Sequence, residues 1–176
     1  MPFPLGLYHF NNWLWVIKIH NVGMRMNKMS DYYMRFIPED IFYTLDCDSI
    51  NKVKNLEWSG NTPYFIFHER IHFADAGQNF ESAKCPLCRA DLMEWWGNIM
   101  SSAYSDEHGF VNIEATSPCC ITKISLHDLD YNFPQGFYKT MIEVVPQASD
   151  KPMLETIAAS LFDITGMKWR AIFAHY

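Results

Sequence analysis

Hydrophobic and polar positions first alternate with a period of two between Tyr32 and Ile37. Tyr32, Met34 and Phe36 fall on one face and Tyr33, Arg35 and Ile37 on the other, the signature of a strand, and Pro38 ends it. Tyr64 to Phe73 is aromatic and β-branched enough for a second strand, closed by Ala76-Gly77. Shorter strands are expected at Phe110 to Ala115 and Ile121 to Leu126. Longer ones follow at Gly136 to Val145, stopped by Pro146, and at Trp169 to Tyr176. In the Gly136 strand, Phe137, Thr140 or Met141, Ile142 and Val144 are the candidates for the interior.

Three segments carry the helical period instead. Ile50, Val53 and Leu56 share one face of a short helix that Asp48 or Ser49 can cap. Leu92, Trp95, Trp96, Ile99, Met100 and Ala103 recur at spacings of three and four, which predicts an amphipathic helix from about Ala90 to Tyr104. Leu154, Ile157, Ala158, Leu161 and Phe162 predict another, capped by Ser149 or Asp150 and closed by Gly166. Strands and helices do not alternate strictly. The expected class is therefore α+β: a mostly antiparallel sheet, two long amphipathic helices and a zinc-knuckle hairpin. No internal repeat, low-complexity segment or Gly-rich phosphate loop stands out.

Composition narrows the reading. A chain of 176 residues with 49% hydrophobic and 16% aromatic side chains can bury a real core, which excludes disorder. The net charge of -6 disfavours a phosphate-binding surface, so a nucleic-acid partner is not expected. Residues 1–28 hold Lys18, Arg25 and Lys28 and no acid, which leaves 11 basic against 20 acidic side chains in residues 29–176. The run Trp13 to Ile19 is broken by Lys18 and is too short to span a bilayer. Residues 1–28 read as an edge strand, a surface-anchoring segment or translated upstream sequence outside the native domain; the last is favoured, with the domain expected to start at Met29 and run to residue 176.

Candidate chemistry concentrates in the cysteines. Cys85-Pro86-Leu87-Cys88 and Pro118-Cys119-Cys120 place four of the five cysteines in two short loops. A C-x-x-C turn offers two thiolates to one tetrahedral zinc at about 2.3 Å, and a second turn completes the four ligands of a closed, structural site. Adjacent Cys119 and Cys120 can both ligate only if their turn is strongly bent; otherwise His127 is the nearest replacement. The odd cysteine count, with no evident secretory leader, favours free thiols in a reducing, cytoplasmic compartment. Buried free thiols and a redox pair remain as alternatives.

A second motif is literal: His68-Glu69-Arg70-Ile71-His72 fits H-E-x-x-H. On a helix, His68 and His72 would hold zinc and Glu69 would activate water, which makes a zinc metallohydrolase the alternative function. The preceding Pro63-Tyr64-Phe65-Ile66-Phe67 argues for a strand, where the two histidines would lie about 13 Å apart. On such a strand His68, Arg70 and His72 share a face with Ile66. Asp128 and Asp130 are expected to cap a turn rather than to form a carboxylate pair.

The order Met29-Ser30-Asp31-Tyr32-Tyr33-Met34-Arg35-Phe36-Ile37-Pro38, Gln78-Asn79-Phe80-Glu81, Cys85-Pro86-Leu87-Cys88 and Trp95-Trp96 is distinctive. With Pro118-Cys119-Cys120, Ser125 to Tyr131, Gly136-Phe137 and Ala174-His175-Tyr176, it resembles a group of uncharacterised bacterial proteins with a zinc-ribbon-like core. The resemblance covers residues 29–176 and implies a zinc-ribbon-like insert at about 80–127. That group tends to carry Asn in place of His127, which returns the ligand role to Cys119 and Cys120. The expected function is a non-catalytic macromolecule-binding protein, in its sharper form a bacterial immunity or inhibitor protein acting on a basic protein partner. A nucleic-acid-binding zinc ribbon is the second alternative.

Overall fold

The computed structural model describes residues 32–146 and 151–176. The readings for residues 1–28 and for a cap at Ser149 or Asp150 lie outside that range. The class is α+β, with three helices and a mostly antiparallel sheet.

The strands are β1 (Tyr32–Pro38), β2 (Tyr64–Ala74), β3 (Ala83–Lys84), β4 (Tyr104–Ser105), β5 (Gly109–Phe110), β6 (Glu114–Thr116), β7 (Lys123–Ser125), β8 (Asp130–Tyr131), β9 (Gly136–Val144) and β10 (Trp169–His175). The helices are α1 (Cys47–Lys54), α2 (Met93–Ala103) and α3 (Lys151–Thr165). Six strands form one sheet in the order β10-β1-β9-β2-β5-β4, and every pairing in it is antiparallel.

The alternation of β1 decides what covers each face. Met34 and Phe36 join Ile142, Val144 and Trp169 under α1 and α3, where Val53, Leu154, Ile157 and Leu161 close the main core. Ile37 turns to the opposite face with Met141, Tyr138 and Ile172. On that same face, Arg35 Nε donates to Glu143 Oε2 at 2.8 Å, and its Nη1 donates to the Tyr176 hydroxyl at 2.6 Å. Buried charges tolerate desolvation when paired in this way. Phe162 departs from the predicted stripe: it is exposed on α3 while its neighbour Leu161 is buried.

A second core carries the cysteine loops. Ile71, Leu92, Phe110, Ile113, Ile124, Leu126 and Phe137 surround Cys85, with Trp95, Trp96, Ile99 and Met100 of α2 half-buried against them. Helix α2 starts at Met93, later than its pattern predicts, because the Leu92 N–H is tied to Ala83 O at 2.9 Å and the Asp91 carboxylate accepts the Met93 N–H at 2.8 Å. Helix α1 starts earlier than predicted, since Asp46 rather than Asp48 or Ser49 accepts the first-turn amide, that of Ser49, at 2.6 Å. The single strand expected at Phe110 to Ala115 is split: β5 belongs to the large sheet, and β6 pairs only with β7.

Two glycines test the packing in opposite directions. A Cβ on Gly136 would stand 2.9 Å from both Arg170 Nη1 and His127 Nδ1, whereas one on Gly97, inside α2, meets nothing within 4 Å. Gly136→Ala is expected to cost about 1–3 kcal/mol by overpacking. Gly97→Ala is expected to gain up to about 1 kcal/mol through helix propensity. Urea unfolding midpoints of the two variants measure both effects, and a Gly136→Ala chain as stable as the parent would show that this contact yields.

Candidate metal centre

The first cysteine turn grows from a short hairpin. β3 runs into Cys85, whose N–H donates to Ala90 O at 2.9 Å, while Arg89 N–H donates back to Cys85 O at 2.9 Å. Lys84 bridges Asp91 across the base, and Arg89 takes a positive φ of 64° to close the turn. Arg89 also pairs with Asp130 of β8 at 2.7 Å, which ties the turn to the strand that pairs with β3.

The second turn repeats the first. Ser117 N–H donates to Thr122 O at 2.9 Å, Ile121 N–H donates to Ser117 O at 3.0 Å, and Ile121 has a positive φ of 52°. Thr116 pairs with Lys123 across its base, as Lys84 does with Asp91. Residue by residue, Ser117-Pro118-Cys119-Cys120-Ile121-Thr122 overlays Cys85-Pro86-Leu87-Cys88-Arg89-Ala90. Cys120 therefore matches Cys88, whereas the position of Cys85 is taken by Ser117 and an additional cysteine replaces Leu87. The sequence reading found no repeat. Its only trace is a Pro-x-Cys spacing shared by the two loops, too short to separate from chance without the backbone.

The two turns face each other. The Sγ atoms of Cys85, Cys88, Cys119 and Cys120 all lie within 4.8 Å of one another, so this group could bind a metal ion. Cys88 and Cys119 approach to 3.4 Å, Cys85 and Cys120 to 3.9 Å, and Cys119 and Cys120 to 3.9 Å. Thiolates at the corners of a tetrahedron around an ion at about 2.3 Å are separated by about 3.8 Å, so the spacing fits. The strongly bent turn that adjacent ligands require is the one closed by Ile121. No other group of three or more His, Cys, Asp or Glu ligand atoms gathers in this way among the described residues.

Electrostatics in the cluster also favour a cation. Backbone N–H groups of Cys88 and Leu87 aimed at its sulfur lower the Cys85 thiol to about 7, against the opposing effect of burial. Neighbouring thiols, Cys88 first, together with burial push Cys120 up to about 12, and burial and the same crowding raise Cys119. Ionisation of Cys119 and Cys120 is thus suppressed within the cluster. A metal ion removes that suppression, because its own charge dominates the local field.

His127 does not join the thiols. It follows β7 in a single 3-10 turn, Leu126–Asp128, capped by the Ser125 hydroxyl rather than by Asp128 or Asp130. His127 Nδ1 accepts the Phe137 N–H at 3.0 Å, which places the ring proton on Nε2, facing Glu39 Oε2 at 3.7 Å. Arg170 completes this group, donating to the carbonyls of His127 and Gln135 at 2.7 Å each and to Glu39 Oε2 at 2.9 Å. A surface hollow of about 360 Å³ beside it is lined by Asp128, Asp130, Tyr131, Gln135 and Arg170 and by none of the thiols.

The H-E-x-x-H segment lies on β2, as its aromatic lead predicts, but the 13 Å spacing does not hold. Phe67 pairs with Thr140 and His72 with Tyr138, so four residues of β2 oppose Lys139 alone. This wide bulge folds His68 back onto His72, and the rings stack at 3.7 Å beside Tyr138. It also breaks the predicted faces: Glu69 and Arg70 are exposed and Ile71 enters the second core. Desolvation, then the neighbouring His68 and Arg70, lowers His72 to about 4, and desolvation lowers His68 as well.

No family model, curated protein or solved structure matches the chain. No helix among the described residues is long and apolar enough to cross a membrane.

Glu39 supplies a pH test of the His127 group. The imidazole of His127, then the guanidinium of Arg170, hold its carboxyl at about 2, against the opposing effect of burial. The closer contact at 2.9 Å assigns Arg170 a larger share than the imidazole at 3.7 Å. A depressed carboxyl contributes stability that is complete above its unfolded value of about 4.5 and is lost as pH falls toward about 2. Stability is therefore expected to drop across that window, modestly because Glu39 is half-exposed, and Glu39→Gln should flatten the slope there. An unfolding free energy, from urea titrations, that falls as much between pH 4.5 and 2.5 in Glu39→Gln as in the parent would contradict the pairing.

Proposed function

We propose that this chain is a non-catalytic, protein-binding module whose two cysteine turns are fastened by one structural zinc ion. Four convergent thiols carry the metal reading. Zinc is the ion that closed four-thiolate sites take in structural roles. A site with no open coordination position supports recognition rather than hydrolysis.

The binding reading rests on what the turns display. Leu87 is 60% exposed and Ile121 77% exposed, so each metal-held turn offers an apolar side chain to solvent. Rigid loops that present apolar groups suit protein recognition, because little entropy remains to be lost on docking. The acidic balance of residues 29–176 favours a basic partner through encounter rate and disfavours a nucleic-acid surface. This is the setting of a bacterial immunity or inhibitor protein in a reducing cytoplasm, in keeping with the zinc-ribbon-like bacterial group. The hydrolase alternative finds two stacked imidazoles and an exposed Glu69 on β2, and among the described residues no third ligand group gathers around them.

Metal analysis of protein purified without added metal is the deciding measurement. About one zinc per chain is expected, lost in Cys85→Ser and kept in His68→Ala, because Cys85 is the buried, amide-supported ligand. Loss of zinc in His68→Ala would transfer the ion to the β2 histidines and favour the hydrolase. The double variant Leu87→Ser, Ile121→Ser should keep its zinc and lose a basic partner captured by the parent chain. Equal capture by both would move the contact surface elsewhere.

A further inference from the structure

The two cysteine turns share a backbone but not a ligand pattern. In the first, the leading sulfur is Cys85, fully buried and supported by the amides of Leu87 and Cys88. In the second, that position is Ser117, also fully buried, whose hydroxyl has no hydrogen-bond partner. The missing thiol has moved two residues on to Cys119, opposite in the repeat to the exposed Leu87. Cys119 is accordingly exposed, and so is Cys88, while Cys85 is buried and Cys120 half-buried. The displaced ligand is thus the one that oxidants in solvent can reach, and its nearest sulfur, at 3.4 Å, is the other exposed one.

The geometry points to Cys88 and Cys119 as an oxidant-sensitive clasp: a peroxide joins them in a disulfide and the ion held by the four thiols is released. The inference rests on the metal reading of this site. In the step, one thiolate attacks the O–O bond and becomes a sulfenic acid as hydroxide departs. The second thiolate then attacks that sulfur, forming the S–S bond and expelling a second hydroxide. Two electrons pass from the two sulfurs to the peroxide, and two protons from solvent complete two waters. Both sulfurs leave the metal, so only Cys85 and Cys120 remain, half of a four-ligand set.

The competing pairs are disfavoured on the same grounds. Cys119 and Cys120 are adjacent, and a disulfide between them would strain the ring it closes. Cys85 and Cys120 stand further apart, at 3.9 Å, with Cys85 shielded from solvent. Cys47 is exposed at the start of α1 and belongs to no cluster, so it serves as an internal control for ordinary thiol reactivity.

The test uses the full chain loaded with zinc and treated with hydrogen peroxide. Released zinc is followed with a chromogenic chelator and disulfides are mapped by peptide mass spectrometry. Zinc release should track a Cys88–Cys119 crosslink one for one and reverse on adding a dithiol and zinc. In Cys47→Ser, which leaves all four ligands in place, the crosslink and the release rate are unchanged. Zinc retained after complete crosslinking, a crosslink mapped to Cys85–Cys120, or zinc release that requires Cys47 would each overturn the proposal. If the purified chain takes up no zinc, the metal reading fails by itself; the disulfide map of the metal-free chain then still decides whether Cys88 and Cys119 are the oxidisable pair.

Discussion

The approach of four sulfurs within 4.8 Å is the constraint around which the second core is arranged, because thiols that close repel one another once more than one of them ionises. The chain brings them together with two turns of the same backbone, each closed by a residue at positive φ and each set on an antiparallel pair. Neither turn has apolar content enough to fix its partner. Their relative position comes from the core beneath, where Cys85 packs with Leu92, Ile113, Ile124 and Phe137. Phe137 is also the second residue of β9, a central strand of the large sheet, so the second core and the sheet share a strand.

The same strand end organises the polar contacts. Gly136 has no side chain, and that absence lets Arg170 of β10 and the His127 ring approach it closely. Arg170 then satisfies the carbonyls of His127 and Gln135 and meets Glu39, which draws the 3-10 turn, the end of β9 and β10 into one group. This explains why a histidine so near the second cysteine turn is not drawn into it. Its acceptor nitrogen is already committed to the Phe137 amide, a buried donor that would be costly to leave unpaired.

β2 shows the opposite relation between local pattern and outcome. Its residues are strand formers and they pair with β9 at both ends, but the two paired stretches are out of register, so the intervening residues must arch outward. The arch stacks His68 on His72 and exposes Glu69 between them, an arrangement that neither a helix nor a regular strand would produce. A bulge arises from what the neighbouring strand offers, and nothing in the segment itself encodes it.

By itself the sequence determined the α+β class, the faces of β1, part of the burial of β9, where Tyr138 and Glu143 are buried too, most of the α3 stripe and the concentration of thiols in two proline-bearing loops. These are properties of short windows, where side-chain period and turn chemistry act over a few residues. The N-terminus of α1 shifted because Asp46 reaches the Ser49 amide, and that of α2 because the Leu92 N–H is held by Ala83 O. Only the tertiary structure decided that Cys119 and Cys120 could both face the first turn, that Ser117 stands where a cysteine does in the other turn, and that His127 belongs to Glu39 and Arg170. Those outcomes depend on contacts between segments more than 30 residues apart, as Cys88 to Cys119 and Arg170 to His127 are. Local periodicity carries no information about them, because the partner that satisfies each group is set by packing of the whole chain.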